Sequence, residues 1–251
     1  MTDSTSYFEF IDKYCERTME GMWAEPFNVV SNIVFVIVSL LLLRFFLRHF
    51  QGQYLKNWDI GVLIMLAFCI SIGSTLWHIF AVRWALYADV IPILIFINLF
   101  LISCFIRILH LKILNVIFLF SVYQLLNYTI QNQFSIDTLN GSIFYIPILI
   151  MLMGIAFFLY LKENMTHHST SSPQAVEKVK YLSRYYVVAA ALFSLSLILR
   201  TLDLSQCENF PLGTHFLWHT FIGIMLYYLT MSLMINQMGE IENDDIRKSP
   251  A

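Results

Sequence analysis

The sequence predicts an all-α fold, an integral membrane bundle of seven transmembrane helices, and three observations predict it. The first is composition. Of 251 residues 58% are hydrophobic and only 13% are charged, with 22 phenylalanines and a mean hydropathy of +0.68. A soluble domain is about half apolar and about a quarter charged, so this chain has too little polar surface to cover a particle in water. The second is that apolar runs of roughly 20 residues, the length that crosses a hydrocarbon core, recur seven times. The third is an unequal division of Lys and Arg between the two sides that these runs define. The net charge of −2 gives no reason to expect nucleic acid as a partner.

The runs lie at about 27–47, 59–81, 87–106, 113–130, 142–161, 185–202 and 214–235. The first 26 residues are polar and mixed in charge. They lack the basic start and short apolar core of a signal peptide, so the first helix is expected to direct insertion itself. Three regions follow: an extracytoplasmic N-terminal segment (1–26), a transmembrane domain (27–235) and a cytoplasmic tail (236–251) expected to be disordered. The second and third runs are joined by a very short link around Val82–Leu86. The fourth carries a polar stripe, Gln124, Asn127 and Gln131. It reads as a face packed inside the bundle, with substrate lining as the other reading. The longest loop, Glu163–Arg184, holds His167, His168 and a Ser/Thr/Pro cluster, and reads as a flexible surface loop.

Charge then gives direction. Eleven of the 15 Lys and Arg residues, from Arg44 to Lys248, fall on the side that holds the loops after the first, third and fifth runs and the C-terminus. Only Lys13, Arg17, Arg83 and Arg200 fall on the other. The C-terminus is therefore expected in the cytoplasm and the N-terminus outside it. The membrane would be the inner membrane in a bacterium, or the ER or Golgi in a eukaryote.

Ionisable groups inside a membrane are costly, and so are functional candidates. Ser74 and His78 lie near the outer end of the second run. Asp89 lies in the first turns of the third, and His215 and His219 open the seventh. Three segments distant in sequence thus bring Ser, Asp and three His to one membrane level. His215 and His219 stand at i and i+4, on one helix face. With His78 as a third ligand they make the pattern of a catalytic zinc, which keeps one position open. Zinc lowers the pKa of bound water to about 7 and polarises a carbonyl. Ser74, at i−4 from His78, can face the metal, and Asp89 can take a proton from that water or orient it. The alternatives are histidines that only pack, a Ser74 hydroxyl bonded back to its own helix, and an Asp89 that caps its helix. Trp77 and Trp218 read as interfacial anchors or packing groups, and Tyr87 as either packing or functional.

Cys69 and Cys104 lie inside helices and read as buried free thiols. Cys15 and Cys207 both fall on the outer side, where disulfides persist. Spacing alone does not fix a pairing, so a Cys15–Cys207 bridge and two unpaired thiols both stay open.

The chain resembles the alkaline ceramidase family, within the wider group of seven-helix membrane hydrolases that includes adiponectin receptors. Four stretches carry the resemblance: Tyr14-Cys15-Glu16; Ala24 to Asn28 leading to Ser31-Asn32; Ser74 with His78; and Asp203 to Cys207 followed by His215 and His219. It runs from about residue 12 to 235. It implies zinc on His78, His215 and His219, with Ser74 and Asp89 assisting water in attack on the amide of a ceramide-like lipid. It also implies a Cys15–Cys207 disulfide. In that family an acidic N-terminal segment can hold Ca²⁺. Here Glu16 and Glu25 match its acidic ligands, with Glu20 and Asp12 nearby. Lys13 stands where the pattern has its first aspartate, and a salt bridge from Lys13 or Arg17 to Glu16 or Glu25 is the competing arrangement.

The expected activity is zinc-dependent amide hydrolysis of a ceramide-like membrane lipid, giving a fatty acid and a sphingoid base. Two alternatives use the same residues. One is hydrolysis of another acyl lipid, an N-acyl amino lipid or a glycerolipid. The other is a seven-helix receptor in which zinc is structural. The sequence leaves the oligomeric state open.

Overall fold

The computed structural model describes residues 6–19, 21–167 and 173–248. The chain is helical, and seven of its helical stretches are long and apolar enough to cross a membrane. Helices α1 (Pro26–Ser31) and α2 (Ile33–His49) together make the first span. Pro26 suits its place in the first turn, where its missing N–H would have no helical partner in any case. Helices α3 (Trp58–Phe80), α4 (Arg83–Arg107) and α5 (Ile113–Gln133) follow. A short 3₁₀ segment (Thr138–Tyr145) leads into α6 (Ile146–His167), and α7 (Pro173–Leu202) and α8 (His215–Lys248) complete the bundle.

Helices α3 and α8 form its centre, with 56% and 61% of their spanning windows buried against 11% for α5. The outward side of α5 is correspondingly apolar. Leu114, Phe118, Leu125 and Tyr128 are all exposed, as a lipid-facing surface requires. Gly73 lets α3 and α4 meet closely. A Cβ there would run into the carbonyl of Ala88 and lie 2.9 Å from the amide nitrogen of Asp89. Pro92 removes the N–H that would otherwise bond the Ala88 carbonyl one turn back. The two residues flanking this contact are Ser74 and Asp89.

Three boundaries differ from expectation. The link between α3 and α4 is only Ala81 and Val82, because Ala81 turns the chain in a left-handed conformation (φ 48, ψ 43) and its N–H caps α3. The N-terminal segment straps this link. Phe10 bridges Val82, Ile11 N–H donates to the Ala81 carbonyl (2.8 Å), and Trp84 N–H donates to the Tyr7 carbonyl (3.0 Å). The stretch Glu163–Arg184, expected as a loop, is mostly helix. His167 ends α6 and α7 starts at Pro173, while His168 lies outside the described residues. Helix α8 continues to Lys248, where disorder was expected from 236.

At the end of the bundle away from the N-terminal strap, Arg107 forms a polar cluster. Its guanidinium donates to both oxygens of Asp59 (2.8 and 2.7 Å), to Asn57 (3.2 Å), to Gln237 (2.5 Å) and to the Lys56 carbonyl (3.0 Å). Ser103 adds a bond to Asp59 (2.7 Å), and Asn236 donates to the Arg107 carbonyl (2.8 Å).

Candidate metal centre

His215 and His219 open α8 four residues apart, and His78 reaches them from the last turn of α3. All three are buried, and their ligand nitrogens lie within 4.8 Å of one another. His78 Nε2 and His219 Nε2 are 3.2 Å apart. Two nitrogens sharing a tetrahedral zinc at about 2.0 Å would stand about 3.3 Å apart. The donor set therefore fits a metal ion.

The far sides of these rings are held. Glu25 Oε2 lies 2.6 Å from His78 Nδ1, and Ser31 Oγ lies 2.7 Å from His219 Nδ1. Occupying Nδ1 in this way leaves Nε2 for the metal and fixes the ring, the role of outer partners behind histidine ligands. His215 Nδ1 is buried without a hydrogen-bond partner, and Tyr14 stacks on that ring with centroids 3.9 Å apart. The Tyr14 hydroxyl accepts a bond from Trp77 Nε1 (3.2 Å). Burial pushes the Tyr14 phenol up to about 12, so it stays neutral beside the histidines.

Behind Glu25 stands Arg17. Its Nε donates to Glu25 Oε1 (2.5 Å) and its Nη2 to the His78 carbonyl (2.8 Å), while Asn28 Nδ2 donates to Glu25 Oε2 (3.0 Å). Burial works to raise Glu25, but the His78 and Asn28 hydrogen bonds and the Arg17 charge outweigh it and hold this carboxyl below its usual range. Glu16 accepts from the backbone N–H groups of Phe27 (2.6 Å) and Asn28 (2.9 Å), capping the first turn of α1. Burial still leaves Glu16 raised. Of the arrangements the sequence offered for these carboxylates, the one formed is the Arg17–Glu25 salt bridge, and Lys13 pairs instead with Asp137 (2.5 Å). Among the described residues the three histidines alone form a group that could hold a metal ion. Glu20 lies outside the described residues.

Ser74 Oγ lies 3.5 Å from His219 Nε2, aimed at the centre. Asp89 lies beside Ser74 and His78. It stands well inside α4, whose cap is Val82, so it is not the helix cap. Both residues line a narrow apolar cavity of about 60 Å³ that runs inward past Phe96, Phe100, Phe193 and Met225. A wider cavity of about 470 Å³ lies alongside, lined by Tyr14, Tyr87, Asn127 and Gln131. Two members of the α5 polar stripe thus face this space, while Gln124 bonds Asn98 (3.3 Å).

Cys15 and Cys207 form a disulfide, with Cα atoms 5.1 Å apart, and Cys69 and Cys104 are free. Asp203 secures both ends of this staple. One carboxylate oxygen accepts from Cys15 N–H (3.2 Å). The other accepts from the N–H groups of Thr214 (2.6 Å) and His215 (2.9 Å), so Asp203 caps the helix that carries two of the three histidines. Gly213 makes room for it. Its backbone is left-handed (φ +64), and a Cβ there would strike Asp203.

The spacing of ionisable residues singled out the three clustered histidines, Ser74 and Asp89. It did not identify Ser31 as the partner of His219, Glu25 as the partner of His78 or Tyr14 as the stacking group. These act across helices and leave no periodic signal. Comparison with protein-family models, with curated proteins and with solved structures finds no match to the chain.

Proposed function

We propose that the chain is a zinc-dependent intramembrane amidase that splits ceramide-like lipids into a fatty acid and a sphingoid base, like the alkaline ceramidases it resembles. The observation that carries this reading is the convergence of His78, His215 and His219 beside Ser74 and Asp89 at the head of an apolar cavity. A bound zinc would supply Lewis acidity toward the amide carbonyl and toward water.

The chain's own residues do the rest. The apolar cavity receives the acyl chain and excludes bulk water. Ser74 donates a hydrogen bond to the oxygen on which charge develops. Asp89 takes a proton from the attacking water as its oxygen bonds to the carbonyl carbon. It returns that proton to the nitrogen as the C–N bond breaks, so that acid and amine leave. Glu25 and Ser31 hold two ligand rings in register. The positive-inside bias sets the N-terminus and this site on the outer side of the membrane, where the disulfide is stable.

The test is metal analysis of the purified protein, paired with mass spectrometry of ceramides before and after incubation. About one zinc per chain and release of free fatty acid are expected. Zinc-loaded protein that leaves every lipid amide intact defeats the reading and favours a receptor with structural metal.

A further inference from the structure

The narrow and wide cavities share Ile97, Tyr145, Ile148 and Arg200 in their linings. Arg200 is the one charge among these four, and it lies within a membrane span. A cation at such depth is costly and is normally neutralised by a partner. Among the described residues it makes no ion pair with a carboxylate; the five salt bridges all use other side chains. Asp89 lies near enough to attract it but is not paired with it. Arg200 Nε is buried and has no hydrogen-bond partner.

The guanidinium is nonetheless fixed in place. It lies over the rings of Trp218 (5.2 Å) and Tyr145 (5.6 Å), contacts that hold a cation by the ring faces, and it also bonds the Tyr14 side chain. Its backbone carbonyl accepts from Asn140 Nδ2 (3.0 Å). The edge toward the wide cavity is kept clear by Gly141, where a Cβ would sit 3.2 Å from Arg200 Nη2. Leu139, Asn140 and Gly141 all take positive φ (52, 51 and 75). Positive φ is free for the glycine but costs backbone energy at Leu139 and Asn140, and strain of this kind gathers at binding sites. One of its donors is taken by the Tyr14 hydroxyl, which leaves Nε of Arg200 unpartnered, and a planar guanidinium with a donor still to spend matches a carboxylate or a phosphate.

We infer that the wide cavity seats the polar end of the lipid and that Arg200 selects substrates whose amine side carries an anion, a carboxylate or a phosphate ester. The inference deepens the amidase reading and rests on it for the word substrate. The acyl chain enters the narrow cavity, the amide lies at the histidines, and the anionic group turns back to Arg200. Asn127 and Gln131, also in the lining of the wide cavity, offer amide donors.

Binding tests the subsite apart from turnover. Metal-loaded protein in neutral detergent is titrated with dodecyl phosphate, dodecanoate and dodecanol, which share a chain and differ in the head. At least one anion is expected to bind about tenfold or more tighter than the alcohol, the scale of one charge-assisted hydrogen bond. Whichever anion gains more identifies the head group chemistry. Arg200→Gln should remove the advantage and Arg200→Lys should retain part of it. Equal affinities in the unmodified protein overturn the inference, whether or not the variants fold. So does an advantage that survives in Arg200→Gln, because the anion is then held elsewhere, at the metal or Lys13. In the turnover arm, an N-acylglycine should exceed the matching N-acylethanolamine about tenfold in kcat/KM, and Arg200→Gln should bring that ratio to near one. Anion selectivity without cleavage of any amide leaves the subsite standing and defeats the amidase reading instead.

Discussion

Charge is buried at both ends of this bundle, and the two ends treat it differently. Around Arg107 every donor of the guanidinium meets an acceptor, and Asp59 receives two bonds from Arg107 and a third from Ser103. Around the histidines the outer partners of His78 and His219 are just as well placed, yet His215 Nδ1 and Arg200 Nε are buried with no hydrogen-bond partner. A cluster with all its valences met is a clamp. A cluster that keeps buried polar atoms without partners is a candidate site.

The contrast is sharpened or broken by substitution. The largest effect is expected from His219→Ala. It should empty the metal site and lower amide turnover beyond the ~100-fold that bounds loss of an outer partner, with helicity by circular dichroism retained. Turnover that persists would mean the trio only packs. Arg107→Ala should act on stability instead. It strands Asp59 without its partner, a change that costs about 3–5 kcal/mol, read from denaturation in detergent, while zinc content per folded chain stays the same. If Arg107→Ala loses metal and His219→Ala unfolds, the assignment of clamp and site is reversed.

Smaller effects follow in order. Replacing both Cys15 and Cys207 by Ser opens a staple across 192 residues of sequence and should cost about 2–5 kcal/mol, seen as a lower midpoint in thermal unfolding. Glu25→Gln should weaken zinc binding about 10–100-fold, measured by competition with a chelator. Ser31→Ala removes a neutral partner rather than a charged one. It should fall at or below the tenfold end of that range, and an effect larger than that of Glu25→Gln would show that His219 is the more delicately held ligand.

The seven spans were legible because hydropathy over about 20 residues is a property of each segment alone. The i, i+4 spacing of His215 and His219 was legible for the same reason, since a helix face is set by local geometry. Arg107 was not. Counted as one more charge at a loop, it proves to be the hub that joins α3, α4 and α8. Arg200 was likewise read as one of four charges on the sparser side, although it stands in the wall of the cavity. Both roles depend on which helices become neighbours. The clearance at Gly73 and the left-handed turn at Ala81 were equally silent, because each exists only against a partner element. The helical continuation to Lys248 shows the reverse limit, a polar composition that did not predict loss of structure.

The disulfide and Asp203 join the first and last parts of the chain around the metal centre. Residues 14–31 supply Tyr14, Arg17, Glu25 and Ser31, whereas His215 and His219 lie on the final helix. A nascent chain emerging N-terminus first therefore holds half a site until its last segment has entered the bilayer. Products truncated or stalled before α8 lack two of the three clustered histidines. If the chain is the amidase proposed above, no active hydrolase meets the cell's lipids before synthesis is complete.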